Sequence, residues 1–153
     1  INPVTKDQWI ASKGGGTWQN GTRVTVTENA DPQNATTAVS RSEIRRGALQ
    51  KFENKMTLVP LGGMVSKLVS VADGQYDATF TCFQRREWDV ATGCLMIAEA
   101  GGTVSQLNGK PIRFNQADST IHGIVATNAH LHDSILEQVQ AVLAVQRRAE
   151  TQR

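Results

Sequence analysis

From residue 36 onward, short β-branched runs alternate with helical patterns, and this alternation restricts the chain to an α/β fold, helices layered on a mostly parallel or mixed sheet. Strands are predicted at 36–39, 57–61, 78–83, 103–106 and 121–127. A helix is predicted from Ser42, as N-cap, to about Asn54, with Ile44, Ala48, Leu49 and Phe52 on one face. A second follows Gly62-Gly63 through Ala72 and turns Val65, Leu68, Val69 and Ala72 inward. A third, 87–100, is nearly all apolar and stops on Gly101-Gly102. Asn128 is the expected cap of the last helix, whose apolar face carries Leu131, Ile135, Val139, Val142 and Leu143, and whose polar tail, 146–153, should fray.

The first 28 residues follow another pattern. Residues 7–12 and 22–27 have strand character, Gly14-Gly15-Gly16 breaks the first strand, and Asn20-Gly21 is a hairpin signal. A lone ribbon is marginal in water, so this arm needs another sheet to lie on. Trp9, Ile10 and Trp18 are expected to expose apolar surface where that sheet is absent. The chain opens at Ile1 directly into a turn-like stretch, which reads as a cut inside a longer protein. The expected division is an arm at 1–28, belonging to an absent N-terminal domain, and a C-terminal α/β domain at 29–153.

A chain of 153 residues can bury one sizeable core. Its net charge of +2 gives no support for binding a nucleic acid polymer or an anionic membrane. No apolar run approaches the roughly 18 residues of a membrane span. Cys82 and Cys94 form no disulfide framework, and such usage suggests a reducing, cytoplasmic setting.

The segment richest in chemistry is Glu87-Trp88-Asp89-Val90-Ala91-Thr92-Gly93, followed by Ala98-Glu99-Ala100-Gly101-Gly102. An acidic pair opens an otherwise apolar helix. The helix dipole favours a carboxylate in the first turn, and the free amides there attract anions. A carboxylate held rigidly in that place can ligate Mg²⁺. On spacing alone, a plain helix cap accounts for Asp89 better than a metal site does.

These residues resemble a known signature. Trp-Asp-x-Ala-x-Gly with a following Glu-Ala-Gly-Gly is similar to the C-terminal motif of the inositol monophosphatase family. Gly14-Gly15-Gly16 with Asn20-Gly21, Gly74 with Asp77, and Ala126-Thr127-Asn128 with Leu131-His132 resemble further family segments in the same order. Within the superfamily, Ser40-Arg41-Ser42, Lys67 four residues after Gly63, and Glu87 before Trp88 resemble the 3'(2'),5'-bisphosphate nucleotidase branch. Met64, Val65, Thr81 and Cys82 depart from the usual residues.

The resemblance implies the C-terminal layered domain of the sugar-phosphatase fold and Mg²⁺-assisted hydrolysis of a small phosphorylated substrate. It assigns Asp89 as catalytic residue and metal ligand, and Ser40, Arg41, Gly62, Gly63 and Lys67 as substrate-binding residues. The family's other metal ligands come from a glutamate-rich helix and an Asp-Pro-x-Asp-Gly-Thr motif, both upstream of Ile1. The chain alone is therefore expected to be inactive. Its partner would be the N-terminal domain, in cis or as a separate chain, and a homodimer is a further candidate. An inositol monophosphatase-type sugar phosphatase and a truncated, non-catalytic α/β binding module are the alternatives.

Two features read as decoys. Asp31-Pro32-Gln33-Asn34-Ala35-Thr36 echoes the Asp-Pro-x-Asp-Gly-Thr motif but follows the glycine-rich arm instead of preceding it, and reads as a turn. His122, His130 and His132 have neither the spacing nor the companions of a zinc site.

Overall fold

The computed structural model describes residues 1–52 and 55–151, with side chains through Val145. Its strands fall into two sheets. β1 (Trp9–Ser12), β2 (Gly16–Gln19) and β3 (Thr22–Val24) form an antiparallel sheet in sequence order. β4 (Thr36–Ser40), β5 (Thr57–Leu61), β6 (Ala78–Arg86), β7 (Thr103–Gln106) and β8 (Thr120–Thr127) form a mixed sheet in the order β5-β4-β6-β8-β7. β5, β4 and β6 are parallel, while β8 runs antiparallel to both β6 and β7. The helices are α1 (Arg41–Arg45), α2 (Met64–Ala72), α3 (Glu87–Glu99) and α4 (His132–Thr151).

The period of two along the strands sets the layers. Ala78 and Phe80 of β6 and Val125 of β8 join a core with Leu131, which immediately precedes α4, and with Ile135, Val139 and Val142 of α4. Phe52 of the 3-10 turn Gln50–Phe52 meets Phe80 there, ring centroids 4.9 Å apart. Ile124 and Ala126 of β8 instead join a core with α2 and α3, against which Trp9 and Ala11 of β1 also pack. The pair α2–α3 is thus a shared layer between the two sheets. Gly93 lets these helices approach closely, since a Cβ there would lie 2.4 Å from the Cβ of Leu68.

The arm packs against α3. Thr17 Oγ1 donates to the Met96 carbonyl at 2.6 Å, and the amides of Gly14 and Gly16 donate to the Glu99 carboxylate at 2.8 and 3.0 Å. Trp9 Nε1 donates to Asp73 at 3.1 Å, leaving Trp9 half-buried. Ile10 and Trp18 remain 57% and 41% exposed, as the apolar-surface argument expected.

Several boundaries differ from the sequence reading. The strand expected at 22–27 ends at Val24, because the Val26 amide turns to the Ala100 carbonyl. The helix expected from Ser42 to about Asn54 is split. Ser40 is the N-cap, Arg46 ends α1, and Gly47 adopts φ +70° with its amide on the Ile44 carbonyl, so the helix stops there. Residues 53–54 lie outside the described residues. Val65, expected inward, is 44% exposed. α4 starts at His132, and Asn128 satisfies the preceding turn by accepting from the amides of His130 and Leu131. The backbone of the polar tail continues helical to Thr151; residues 152–153 lie outside the described residues.

Gly93→Ala should drive a methyl into Leu68 and cost about 1–3 kcal/mol. Urea unfolding checks this, and Gly93→Ala combined with Leu68→Ala should lose less than the sum of the two single changes. Strict additivity would mean that the α2–α3 contact at Gly93 is not the limiting one.

Candidate functional site

A doubly layered parallel sheet places its loops and helix N-termini at the C-terminal edge of its strands. In this chain Ser40 pairs in register with Leu61, so Ser40 and the Gly62-Gly63 loop emerge side by side. β6 runs parallel to β4, and α3 follows it directly. The first turns of α2 and α3 therefore open onto the same edge. Gly63 is the N-cap of α2 with φ +77°, a conformation that favours glycine.

Among the sequence-predicted residues, Ser40 is half-buried, its Oγ 2.8 Å from the hydroxyl of Ser42. Arg41, Gly62 and Gly63 are exposed. Asp89 is the third residue of α3, and its Oδ2 accepts from the Arg86 amide at 3.2 Å. Asp89 thus acts as a helix cap in this structure. Its neighbour Glu87 is committed elsewhere, accepting from the amides of Asn115 and Gln116 at 2.6 and 3.0 Å.

Lys67 is the departure from expectation. It is neither a solvated helix residue nor an open substrate contact, being only 2% exposed. Burial holds its pKa below the ordinary lysine value, the Glu43 carboxylate pulls it back up, and the Arg85 guanidinium pushes it down. Glu43 was not singled out in the sequence, yet it is 1% exposed and central. Its Oε1 accepts from Thr81 Oγ1 at 2.6 Å and from Arg85 at 3.0 Å, while its Oε2 has no partner. Arg85 also donates to Thr81 Oγ1 at 3.0 Å and to the Gln84 carbonyl at 3.0 Å. Cys82 lies close by, its thiol pushed up to about 11 by burial and by the Glu43 charge. The partners of Glu43 are some 40 residues away in the chain, so no local spacing announces them.

A cleft of about 500 Å³ opens over this cluster, lined by Ser42, Glu43, Arg46, Phe83, Gln84 and Arg85. A second, of about 670 Å³, lies between the N-terminal segment and α2–α3, with Trp9, Leu61, Val65 and Asp73 among its walls. None of Asp89, Gly63 and Ser40 lines either of these two clefts. Among the described residues, no group of three or more His, Cys, Asp or Glu side chains converges to hold a metal. The Asp31 carboxylate accepts from the Gln33 amide and from Asn34 Nδ2 at 2.9 and 2.6 Å, which makes 31–34 a self-contained turn. His122, His130 and His132 are separate, bonded to Gln84, Glu28 and the Thr127–Ser105 hydroxyls respectively. Among the described residues, no helix is long and apolar enough to cross a membrane.

Residues 1–144 match the family model described as the inositol monophosphatase family. The chain is 25% identical over 143 residues to a fructose-1,6-bisphosphatase/inositol-1-monophosphatase of Thermotoga maritima, covering 92% of this chain and 54% of that one. It is 29% identical over 96 residues to a 3'-phosphoadenosine 5'-phosphate phosphatase of Mycobacterium leprae, covering 61% of this chain and 35% of that one. The fold is similar to that of a solved Thermotoga maritima inositol monophosphatase, with TM-score 0.80, 24% identity, and coverage of 93% and 54% of the two chains. The chain therefore spans about half the length of the Thermotoga maritima relative and of the solved Thermotoga maritima chain.

The burial of Lys67 has a consequence for stability. Its folded pKa lies below the ordinary 10.5, so the unfolded chain holds the proton more tightly, and this group's contribution improves as pH rises towards 10.5. Lys67→Met should stabilise the protein at neutral pH, with the gain over the parent shrinking as pH rises towards 10.5. A Lys67→Met protein less stable than the parent at neutral pH would mean that attraction to Glu43 outweighs burial.

Proposed function

Because the chain belongs to the inositol monophosphatase family, we propose that it is the C-terminal part of a phosphomonoester hydrolase acting on 3'(2'),5'-bisphosphonucleotides. The observation that carries this reading is the shared edge. Ser40, Arg41, Gly62 and Gly63 lie there with the first turns of α2 and α3, where free amides favour an anion. Buried Lys67 and half-buried Arg85 add positive potential, which suits a doubly phosphorylated substrate. The similarity to the Mycobacterium leprae protein, by its name a 3'-phosphoadenosine 5'-phosphate phosphatase, supports the same substrate class. The names of other relatives, such as the Bacillus subtilis inositol-1-monophosphatase, favour a sugar phosphatase as the second reading.

The described residues do not fit a Mg²⁺ site by themselves. Asp89 supplies one carboxylate, whereas Mg²⁺ takes six oxygens in near-octahedral geometry. In this proposal the remaining ligands come from an N-terminal half, in cis or as a separate chain, in the cytoplasm. What this chain contributes is a fixed carboxylate at a helix N-terminus, an anion-favouring edge and the substrate-facing loop.

The same half would cover apolar surface. Trp88 and Leu95 of α3 are 70% and 39% exposed, and Val65 of α2 is 44% exposed. Those side chains and Ile10 of the arm mark where a larger sheet would lie.

Fusing the N-terminal half of a relative ahead of Ile1 tests the proposal. The joined protein should release phosphate from adenosine 3',5'-bisphosphate in a Mg²⁺-dependent way, and the chain alone should not. Asp89→Ala in the joined protein should lower kcat/KM by about 10²-fold or more, and Trp88 emission should shift to the blue on joining. Full activity with Asp89→Ala, or robust phosphate release by the chain alone, would refute the assignment. Faster turnover of inositol 1-phosphate would favour the sugar phosphatase reading.

A further inference from the structure

The last helix meets the mixed sheet through a buried polar clasp that the proposed chemistry does not use. Ser105 pairs in register with Val125, and Thr127 lies two residues further along β8. Both hydroxyls therefore lie on the face where Val125 joins the α4 core. His132, the first residue of α4, stands between them, its Nδ1 3.0 Å from Thr127 Oγ1 and its Nε2 2.9 Å from Ser105 Oγ. Thr127, Ser105 and His132 are 0%, 5% and 8% exposed.

Hydroxyl protons decide how this clasp is bonded. Thr127 has one such proton and donates it to the Asn128 carbonyl at 2.7 Å. Towards the ring, Thr127 Oγ1 is thus an acceptor, which puts the proton of the neutral imidazole on Nδ1. Nε2 then carries a lone pair, and Ser105 donates to it. The same Ser105 hydroxyl lies 3.0 Å from the Gln106 carbonyl, which it cannot serve at the same time. A second proton on the ring reverses the Nε2 bond. Nε2–H donates to Ser105 Oγ, and the Ser105 hydroxyl is released to the Gln106 carbonyl. Both protonation states are fully bonded, and they differ by one proton and one hydroxyl rotation.

We propose that His132 is a proton-coupled switch, which passes a change of charge at the start of α4 through the Ser105 hydroxyl to the turn that follows β7. The Gln106 carbonyl already accepts from the Gly109 amide at 2.9 Å, so a second donor there alters the bond that closes this turn. Burial holds His132 below the ordinary histidine range, and the Asp133 carboxylate opposes that. The positive end of the α4 dipole acts with burial. β7 carries no acidic or basic side chain, and in β8 only His122, bonded to Gln84 at the far end, is titratable. His130 of the preceding turn is exposed and bonded to Glu28. The unfolded chain binds the proton more tightly than the folded one, so stability declines as pH falls below the ordinary 6.5 and levels off once the folded ring is charged. No bond is lost, so the fold persists through the change.

Imidazole and amide NMR of this chain across a pH titration tests the switch. The Nδ1–H tautomer should be seen at mildly alkaline pH. His132 should titrate below 6.5, and the amides of Leu107 and Gly109 should shift with the same midpoint while the core signals stay native. Ser105→Ala should weaken proton binding by His132 at least about threefold, since the charged Nε2–H loses its acceptor. It should also abolish the Leu107 and Gly109 steps, and Ser105→Thr, which keeps the hydroxyl, should restore them. His132→Gln should remove the steps by a separate route. An Nε2–H tautomer of the neutral ring overturns the proposal, as do Leu107 and Gly109 signals that stay still while His132 titrates, or steps that survive Ser105→Ala. Loss of amide dispersion at the same midpoint overturns it as well, because protonation would then open the clasp instead of rewiring it.

Discussion

The carboxylate of Asp77 ties together segments that the chain keeps far apart. It accepts from Thr27 Oγ1 at 2.6 Å, from the Thr36 amide at 2.8 Å and from Thr36 Oγ1 at 3.0 Å. Its own amide and carbonyl bond the Thr36 carbonyl and the Asn128 amide. Asn128 closes the ring by donating to Thr27 Oγ1 and to the Asn29 carbonyl, each at 2.8 Å. Burial alone would raise the pKa of Asp77, yet the bonds from Thr27 and Thr36 outweigh it and hold the carboxyl below its usual value. The stability this brings is present above the unfolded carboxylate range and is lost as pH falls through the lower folded value. Where the arm leaves the first sheet, where β4 begins, where β6 begins and where α4 is approached are all fixed by this one knot.

With β4 and β6 anchored at that end, their opposite ends are free to build a site. β6 runs on past its parallel partner, and its pairing with β8 shifts between Thr81 and Gln84. Gly123, with φ +76° and a would-be Cβ 2.5 Å from the Thr81 carbonyl, accommodates the shift. The irregularity falls where Thr81 and Arg85 must both reach Glu43. A regular ladder would present residues four apart on one face at fixed spacing, and the bulge re-aims the strand so that both meet one carboxylate oxygen.

The layers were legible because they rest on local patterns. Thr57–Leu61, Met64–Ala72 and Thr103–Gln106 came out where periodicity and glycine punctuation put them. The split of the helix after Ser42 was legible in principle from Gly47, which can stop a helix by taking a left-handed conformation, but the apolar spacing through Phe52 outweighed it in the reading. The site was legible only in part. Ser40, Gly62 and Gly63 share an edge because strand ends and helix starts are local signals. The burial of Lys67 and the existence of the Glu43 cluster were not legible, since both depend on a one-turn helix settling against a strand some 40 residues later.

Asp89 has a structural role at the start of α3, and the metal-ligand role proposed for it is compatible with that one. As a cap, it accepts the Arg86 amide through Oδ2 and so fixes its own rotamer at the start of α3. The helix it caps is held from both sides, by Gly93 against Leu68 and by Glu99 against the glycine amides of the arm. A carboxylate on such a helix loses little further freedom when it meets a cation, because its position is settled by folding. The plain cap inferred from spacing and the metal ligand inferred from resemblance are therefore compatible. Capping through Oδ2 is what would hold the carboxylate ready, and the arm that grips Glu99 fixes the other end of the same helix.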